Sequence, residues 1–271
     1  MDIRSILNTD RELYKINREE RFFSATLYSL LVQKNANLKT FVSYLNSKLG
    51  KADDKVDESD TDKLDVYFEY AYLRDLWNSF DEEQRRALIY HWLGESKMTL
   101  AKFEVPELNK ILVGLGKPSM KHIQSPGTWS ISKYASHFPR TPQDNKEFER
   151  LCKFKWCFKI KPDLVIQVSP TRVFSIEAKL EYGESTYPSI SSEKKEWNER
   201  KLLPVKQIEL QSLMFKDLLN IHASIFCLAK KQSGYRSDGI QTITWKDVFA
   251  KMDFSNTHPS AIRALKSTDM I

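Results

Sequence analysis

Apolar side chains recur at helical spacing through the first half of the chain. Residues 22–31 and 38–49 each carry an apolar face broad enough for a buried helix. The aromatic stretch 67–80 shows the same spacing, and only Arg74 interrupts its rings. This composition favours rings packed in a helical core over an exposed platform that stacks single-stranded bases, because such platforms mix aromatic residues with Lys or Arg.

The second half contains short apolar runs that are typical of strands. Two runs rich in β-branched and aromatic residues, 164–168 and 173–178, are joined by Ser-Pro-Thr-Arg, and together they predict a β-hairpin. A continuous apolar run at 223–229 predicts a strand that is buried on both faces. These strands are expected to form one sheet.

Helical patterns flank the predicted strands, one starting near residue 143 and one over 193–220 that is interrupted near Pro204. Prolines concentrate between residues 117 and 142, where the helical first half passes into the mixed second half. The sequence therefore predicts an α/β (α+β) fold with two domains. A helical N-terminal domain is expected over residues 1–140, and a sheet flanked by helices is expected over residues 141–271.

Charged side chains gather at one end of the predicted hairpin. Asp163 precedes its first strand, and Glu177 and Lys179 close its second strand. Because side chains alternate along a strand, Glu177 and Lys179 leave the sheet on the same face, and pairing in the hairpin brings Asp163 beside them. Burying these charges costs free energy unless a cation or a substrate compensates them. This stretch is therefore the candidate active site, and the alternative is an exposed ion pair on a surface hairpin.

The net charge, the cysteine spacing and the length of the apolar runs narrow the choice of partners for this 271-residue chain. A net charge of +6 and a pI near 9.0 favour an anionic partner such as nucleic acid. Cys152, Cys157 and Cys227 form no CxxC pair and suit a reducing compartment better than a disulfide framework. No run approaches the roughly 20 apolar residues of a membrane-spanning helix. We expect a cytoplasmic protein without a membrane partner.

The charged hairpin resembles the motif of the PD-(D/E)xK superfamily, the restriction endonuclease-like nucleases. The match consists of Pro162-Asp163, a gap of thirteen residues, and Glu177-Ala178-Lys179, and the resemblance covers roughly residues 143–235. It implies a restriction endonuclease-like αβββαβ core and the hydrolysis of phosphodiester bonds, with DNA as the expected substrate. It also implies Mg²⁺ as cofactor, which Mn²⁺ can replace. Defence against foreign DNA is a common role in this superfamily.

The resemblance also implies a role for each residue of the motif. Asp163, Glu177 and the carbonyl of Ala178 would supply oxygen ligands to the cation, in keeping with the preference of Mg²⁺ for hard donors. Lys179 would orient the attacking water and stabilise negative charge in the transition state. Glu181 has the same strand parity, and it either reaches the cation or pairs with a lysine at the rim of the site.

Residues on the two flanking helices are further candidates by the same resemblance. Members commonly carry a glutamate on the first core helix, for which Glu149 is the first choice and Glu147 the alternative. Glu149 would complete a second cation site or hold a metal-bound water. Some members have a glutamine on the helix after the motif, and Gln207 and Gln211 are both eligible. Either glutamine would hydrogen-bond the nucleophile or the phosphate.

Two lysines before the motif are candidates for binding nucleic acid. Lys159 and Lys161 share the strand face of Asp163 if that strand extends backwards, where they could contact the phosphate backbone. The alternative is that they are ordinary solvated lysines. The helical first half is expected to select the substrate or to bind a partner, either another protein or a second copy of the chain. The competing functional hypothesis is a catalytically inactive nuclease-fold protein that binds nucleic acid or a protein.

Overall fold

The computed structural model describes residues 20–50, 55–94, 103–114, 120–180, 185–230 and 240–271. Its α-helices are α1 (Glu20–Gln33), α2 (Asn35–Lys48), α3 (Tyr72–Ser79), α4 (Glu82–Leu93), α5 (Val105–Val113), α6 (Ile131–Tyr134), α7 (Pro142–Cys157), α8 (Ser191–Glu199), α9 (Gln207–Leu213), α10 (Trp245–Phe249) and α11 (Pro259–Ser267). Its strands are β1 (Asp65–Phe68), β2 (Leu164–Ser169), β3 (Arg172–Ala178), β4 (Thr186–Tyr187), β5 (Val205–Lys206), β6 (His222–Ala229) and β7 (Gln241–Thr244). The expected mixed α/β class is confirmed, and no helix in these described ranges is both long and apolar enough to cross a membrane.

The chain forms two compact units, each assembled from separate stretches of sequence. The first unit consists of Met1–Tyr70, Pro162–Gly183 and Ser224–Ile271. The second unit consists of Ala71–Lys161 and Glu184–Ala223. Because neither unit follows a single boundary in the chain, the expected division near residue 140 stays a prediction and does not describe these units.

A five-stranded sheet in the order β1-β2-β3-β6-β7 forms the centre of the first unit. The predicted hairpin is confirmed, since β2 and β3 pair antiparallel with Leu164 opposite Ile176 and Val165 opposite Ser175. The apolar run at 223–229 is also confirmed as a strand, and β6 pairs parallel with β7. The central position of the hairpin explains why both of its faces are apolar.

The helical interpretation of residues 67–80 was wrong at its start. Residues 65–68 form β1, which pairs antiparallel with β2, and Val66 lies opposite Ile166. Glu69 then takes a positive φ of 50°, which ends the strand, and α3 begins only at Tyr72. The pairing joins segments about 100 residues apart, so a non-local contact decides the local structure.

The helical pattern predicted α1 and α2, and both helices pack on the sheet and complete the apolar core of the first unit. Phe23, Leu27 and Phe41 are fully buried and belong to the same cluster as Ile166 and Ile176 on the hairpin. At roughly 25 cal/mol for each Å² of apolar surface, burial of such side chains is the main stabilising contribution. This core fixes the hairpin that carries the candidate active site.

The second unit is built around α7, whose buried face is strongly aromatic. Phe148 and Phe154 are fully buried, and their rings contact those of Trp197 and Trp129 respectively. The helical pattern predicted over 193–220, with its interruption near Pro204, is confirmed. Helix α8 ends at residue 199, strand β5 follows Pro204, and α9 runs into a π-helical turn at Met214–Leu218.

Candidate active site

Asp163 lies at the entry to the hairpin and is held by hydrogen bonds from two directions. Its backbone carbonyl accepts a hydrogen bond from the N–H of Glu69 at 2.9 Å, just beyond β1. Its Oδ2 accepts one from the N–H of Ala178 at 2.8 Å, at the end of β3. The carboxylate is therefore fixed beside the backbone that separates Glu177 from Lys179, as the hairpin geometry predicted.

Glu177 and Lys179 form a buried ion pair on one face of the sheet. The distance between Lys179 Nζ and Glu177 Oε1 is 2.5 Å, and their side chains are only 9% and 1% exposed. The backbone of Lys179 is also fixed, because its N–H donates to the carbonyl of Leu228 and its carbonyl accepts from Trp245 Nε1. The alternative of an exposed ion pair on a surface hairpin is excluded by this burial.

Glu20, on α1, joins this group, and sequence reasoning did not find it. Its Oε2 accepts a hydrogen bond from the N–H of Leu180 at 3.0 Å, and its Oε1 lies 3.4 Å from Lys179 Nζ. The structure thus brings three carboxylates and one ammonium together: Glu20, Asp163, Glu177 and Lys179. The only signal in the sequence was an acidic residue at the start of an apolar helix, which many helices share.

The environment of Asp163 disfavours the ionised form of its carboxyl group. Burial raises the pKa of Asp163 to about 6, and the nearby charges of Glu20 and Glu69 add to the rise. The Ala178 N–H and the Lys179 ammonium oppose it without cancelling it. A carboxyl group with such a pKa keeps a fraction of its protons near neutral pH. A bound cation would favour the ionised form and displace the remaining protons.

Lys179 is held in its charged form. Burial alone would lower the pKa of Lys179, but the neighbouring charges of Glu177, Glu20 and Asp163 raise it above its ordinary value. The side chain is therefore an ammonium throughout the physiological range. It can donate hydrogen bonds and stabilise negative charge, but in this state it cannot accept a proton.

The donor set fits a hard divalent cation. Mg²⁺ takes oxygen ligands and commonly uses one or two carboxylates while it keeps several waters. Asp163 and Glu177 can supply these carboxylates, and the cost of burying Asp163 would be offset by a cation. Within the described ranges no three His, Cys, Asp or Glu side chains lie close enough to one another to hold a metal ion. The carboxylates of Glu20, Asp163 and Glu177 are linked instead through the Lys179 ammonium and backbone N–H groups. In this arrangement the charge of Glu177 is instead balanced by Lys179.

Ala178 belongs to the first unit together with Asp163, Glu177 and Lys179, whereas six other predicted site residues belong to the second unit. Glu149 forms an ion pair with Lys153 at 2.9 Å, and Glu147 accepts a hydrogen bond from Gln143. The remaining candidates lie on or near α7 and α9: Gln207, Gln211, Lys159 and Lys161. Gln211 is fully buried, whereas Gln207 begins α9. Their proposed roles stay predictions, and Glu181 lies outside the described residues.

The fold and the site together define a mixed α/β protein with a carboxylate–lysine cluster at the end of a central hairpin. Comparison of the chain with models of known protein families, with curated proteins and with solved structures finds no match. The functional argument therefore depends on the residues of the cluster and on their geometry.

Proposed function

We propose that this protein is a metal-dependent nuclease that hydrolyses phosphodiester bonds, with DNA as its substrate. The observation that carries the proposal is the convergence of Asp163, Glu177 and Lys179 on one buried face at the end of the hairpin. A purely structural hairpin has no need of a further carboxylate beside the Glu177–Lys179 ion pair, because burying a carboxylate without its own counter-charge costs free energy. The raised pKa of Asp163 reflects the free-energy cost of burying its carboxylate.

The order of elements along the chain supports the proposal of an αβββαβ core of the PD-(D/E)xK type. Helix α1 comes first, and β1, β2 and β3 follow and pair as neighbours. The chain then passes through α8 and α9, which belong to the second unit, before it returns as β6 next to β3. In this assignment α1, not α7, is the first core helix. Glu20 then takes the role that the resemblance implied for Glu149.

Asp163 and Glu177, with the carbonyl of Ala178, would hold the cation, which supplies Lewis acidity and lowers the pKa of a bound water. The N–H of Ala178 fixes the carboxylate of Asp163 for this purpose, so the ligand does not have to be ordered when the cation binds. Residues of one hairpin therefore provide the whole ligand set.

Lys179 would stabilise the negative charge that develops on the phosphate and would orient the attacking water. Its ammonium is desolvated, which strengthens its interaction with a phosphate oxygen. Glu20 would act through Lys179 as a positioning residue, because its carboxylate holds both the ammonium and the N–H of Leu180.

Cleavage of plasmid and single-stranded DNA with Mg²⁺ or Mn²⁺ tests the proposal. Asp163→Asn preserves the shape of the side chain and its acceptor for the Ala178 N–H while it removes the charge. We expect it to lower the cleavage rate by at least 100-fold, in keeping with the loss of a metal ligand (about 10² or more). Asp65→Asn, an exposed position on β1, is the matched control and should cleave normally. Equal cleavage by wild type and Asp163→Asn would refute the assignment.

A second function is supported by the ion pairs of Lys179. Its ammonium lies close to both Glu177 and Glu20, so it already balances part of their charge without a cation. This favours a catalytically inactive nuclease-fold protein that binds nucleic acid or a protein. Absence of cleavage by wild type with either cation, combined with retained DNA binding, would select this alternative.

A further inference from the structure

The second unit contains a groove that none of the proposed catalytic steps uses. The groove has a volume of about 920 Å³ and is formed by α4, α7 and the π-helical turn at 214–218. Trp92 lines the groove and is buried, and its Nε1–H donates a hydrogen bond to the carbonyl of Arg150 at 2.8 Å. Because helices and a buried, hydrogen-bonded tryptophan line this groove, it is a preformed concave site.

Basic side chains from α7 and from the π-helical turn line this groove. Lys146, Arg150 and Lys153 follow each other along α7 at positions i, i+4 and i+7, so they share one face of the helix. At a rise of about 1.5 Å per residue, this row extends roughly 10 Å. Lys216 faces the groove from the π-helical turn. Single-turn π-helical segments in proteins frequently lie at functional sites.

Acidic side chains neutralise only part of this charge. Glu149 and Asp217 also line the groove, and Lys153 pairs with Glu149 and Glu209, both at 2.9 Å. Three cations have exposed side chains and no ion pair within the described part of the chain: Lys146, Arg150 and Lys216. The guanidinium of Arg150 lies over the ring of Trp92, 5.8 Å from its centroid, which helps to position it.

The distribution of charge over the chain agrees with this groove. The second unit contains 22 basic and 16 acidic residues, a net charge of +6. The first unit contains 20 of each, so its net charge is zero. The excess positive charge of the whole protein therefore belongs to the unit that carries the groove. Such an asymmetry attracts an anionic partner to that unit.

We propose that this groove binds the phosphodiester backbone of a nucleic acid strand. Phosphates along one strand of a duplex rise by about 3.4 Å each, so a row of cations roughly 10 Å long matches about three of them. The large apolar side chains that are exposed in the described residues do not line the groove, which disfavours insertion into a membrane. This binding role goes beyond the proposed nuclease function and does not depend on cleavage.

Fluorescence anisotropy with labelled DNA tests the proposal in the presence of EDTA, where cleavage cannot occur. The probes are a single strand and a duplex of about 20 nucleotides or base pairs, titrated over a range of salt concentrations. The groove variant combines Lys146→Gln, Arg150→Gln and Lys216→Gln. We expect it to bind at least about 10-fold more weakly at moderate salt, with a salt slope reduced by about 2 to 3, because up to three phosphate contacts are lost.

A matched control removes the same charge from elsewhere in the same unit. Lys133→Gln, Lys194→Gln and Lys195→Gln change exposed lysines outside the groove. This variant should change the salt slope by less than about 1. Equal weakening by the two triple variants, or unchanged binding by the groove variant, would overturn the proposal.

Poly-L-glutamate as a competitor distinguishes nucleic acid from an acidic protein segment. At equal charge concentration it should displace the DNA far less well than unlabelled DNA does, because carboxylates on a flexible chain do not match the spacing of the row. Equal displacement would assign the groove to an acidic peptide and would refute the nucleic acid proposal. Failure of cleavage with retained groove-dependent binding would contradict the nuclease proposal alone.

Discussion

Replacement of Asp163 by asparagine should stabilise the protein at neutral pH, even though it removes the central residue of the candidate site. The carboxylate of Asp163 is largely buried and lies near the like charges of Glu20 and Glu69. Asparagine keeps an oxygen that can accept the hydrogen bond from the N–H of Ala178. The substitution therefore removes an unfavourable charge and keeps the favourable hydrogen bond.

The magnitude follows from the pKa of Asp163, which rises from an ordinary value of 3.8 to about 6 in the folded protein. Because the folded protein binds this proton more tightly, the group contributes full stability below pH 3.8 and loses it as the pH rises to about 6. A difference of about 2 in pKa corresponds to about 3 kcal/mol. The pKa already includes the attraction of Lys179, so this figure is the net cost of the ionised carboxylate. It is therefore the largest gain in stability that removing the charge in Asp163→Asn can give.

Urea unfolding in EDTA, followed by tryptophan fluorescence, measures this effect as a function of pH. The free energy of unfolding of Asp163→Asn should approach that of wild type as the pH falls below 3.8 and exceed it by about 1–3 kcal/mol above pH 7. The m-values should not change, because the same surface is exposed on unfolding. Asp65→Asn, at an exposed position on β1, should match wild type at every pH.

Two results would refute the reasoning. A difference between Asp163→Asn and wild type that does not depend on pH would show that the carboxylate is not destabilised in the folded protein. A large loss of stability in Asp163→Asn at neutral pH would show that its charge is needed by Lys179. The same series with Mn²⁺ should stabilise wild type more than Asp163→Asn, since binding to the folded state alone adds about 2.7 kcal/mol at 100 times the Kd.

Two further substitutions test other charged residues. Lys155→Met should destabilise the second unit by about 3–5 kcal/mol, because it leaves the carboxylate of Glu193 buried without its partner, and adding Glu193→Gln should restore at least half of that loss in urea unfolding. An unchanged loss in the double variant would contradict this account. Glu20→Gln should lower DNA cleavage about 10-fold or more with a change in stability of only about 1 kcal/mol, because an amide oxygen still accepts from the N–H of Leu180. Cleavage that is unaffected by this change would remove Glu20 from the site.

The predicted parts of the site are those that local rules determine. Alternation along β3 places Glu177 and Lys179 on one face, and the short hairpin loop fixes the register that brings Asp163 to Ala178. Both facts follow from a stretch of fewer than twenty residues. The sequence therefore predicted the convergence of these side chains, and the structure agrees.

The parts that were missed depend on contacts between distant segments. Strand β1 lies about 100 residues before its partner β2, and its aromatic sequence fits a helix when it is considered alone. Glu20 lies 160 residues before Leu180 in the chain and accepts a hydrogen bond from the N–H of Leu180. Only the packing of α1 against the sheet brings them together. No local pattern distinguishes Glu20 from other acidic residues that begin a helix, so Glu149 was the more attractive choice from sequence alone.

The separation of charge between the two units has a consequence for substrate binding. Glu20, Asp163 and Glu177 face a single ammonium, that of Lys179, so with all three carboxylates ionised this cluster has a net charge of −2. Such a cluster repels a phosphate unless a cation is bound, and the first unit as a whole offers no excess positive charge to overcome that repulsion. If DNA is the substrate, its attraction has to come from the second unit. DNA binding should therefore persist when divalent cations are chelated, whereas cleavage should stop.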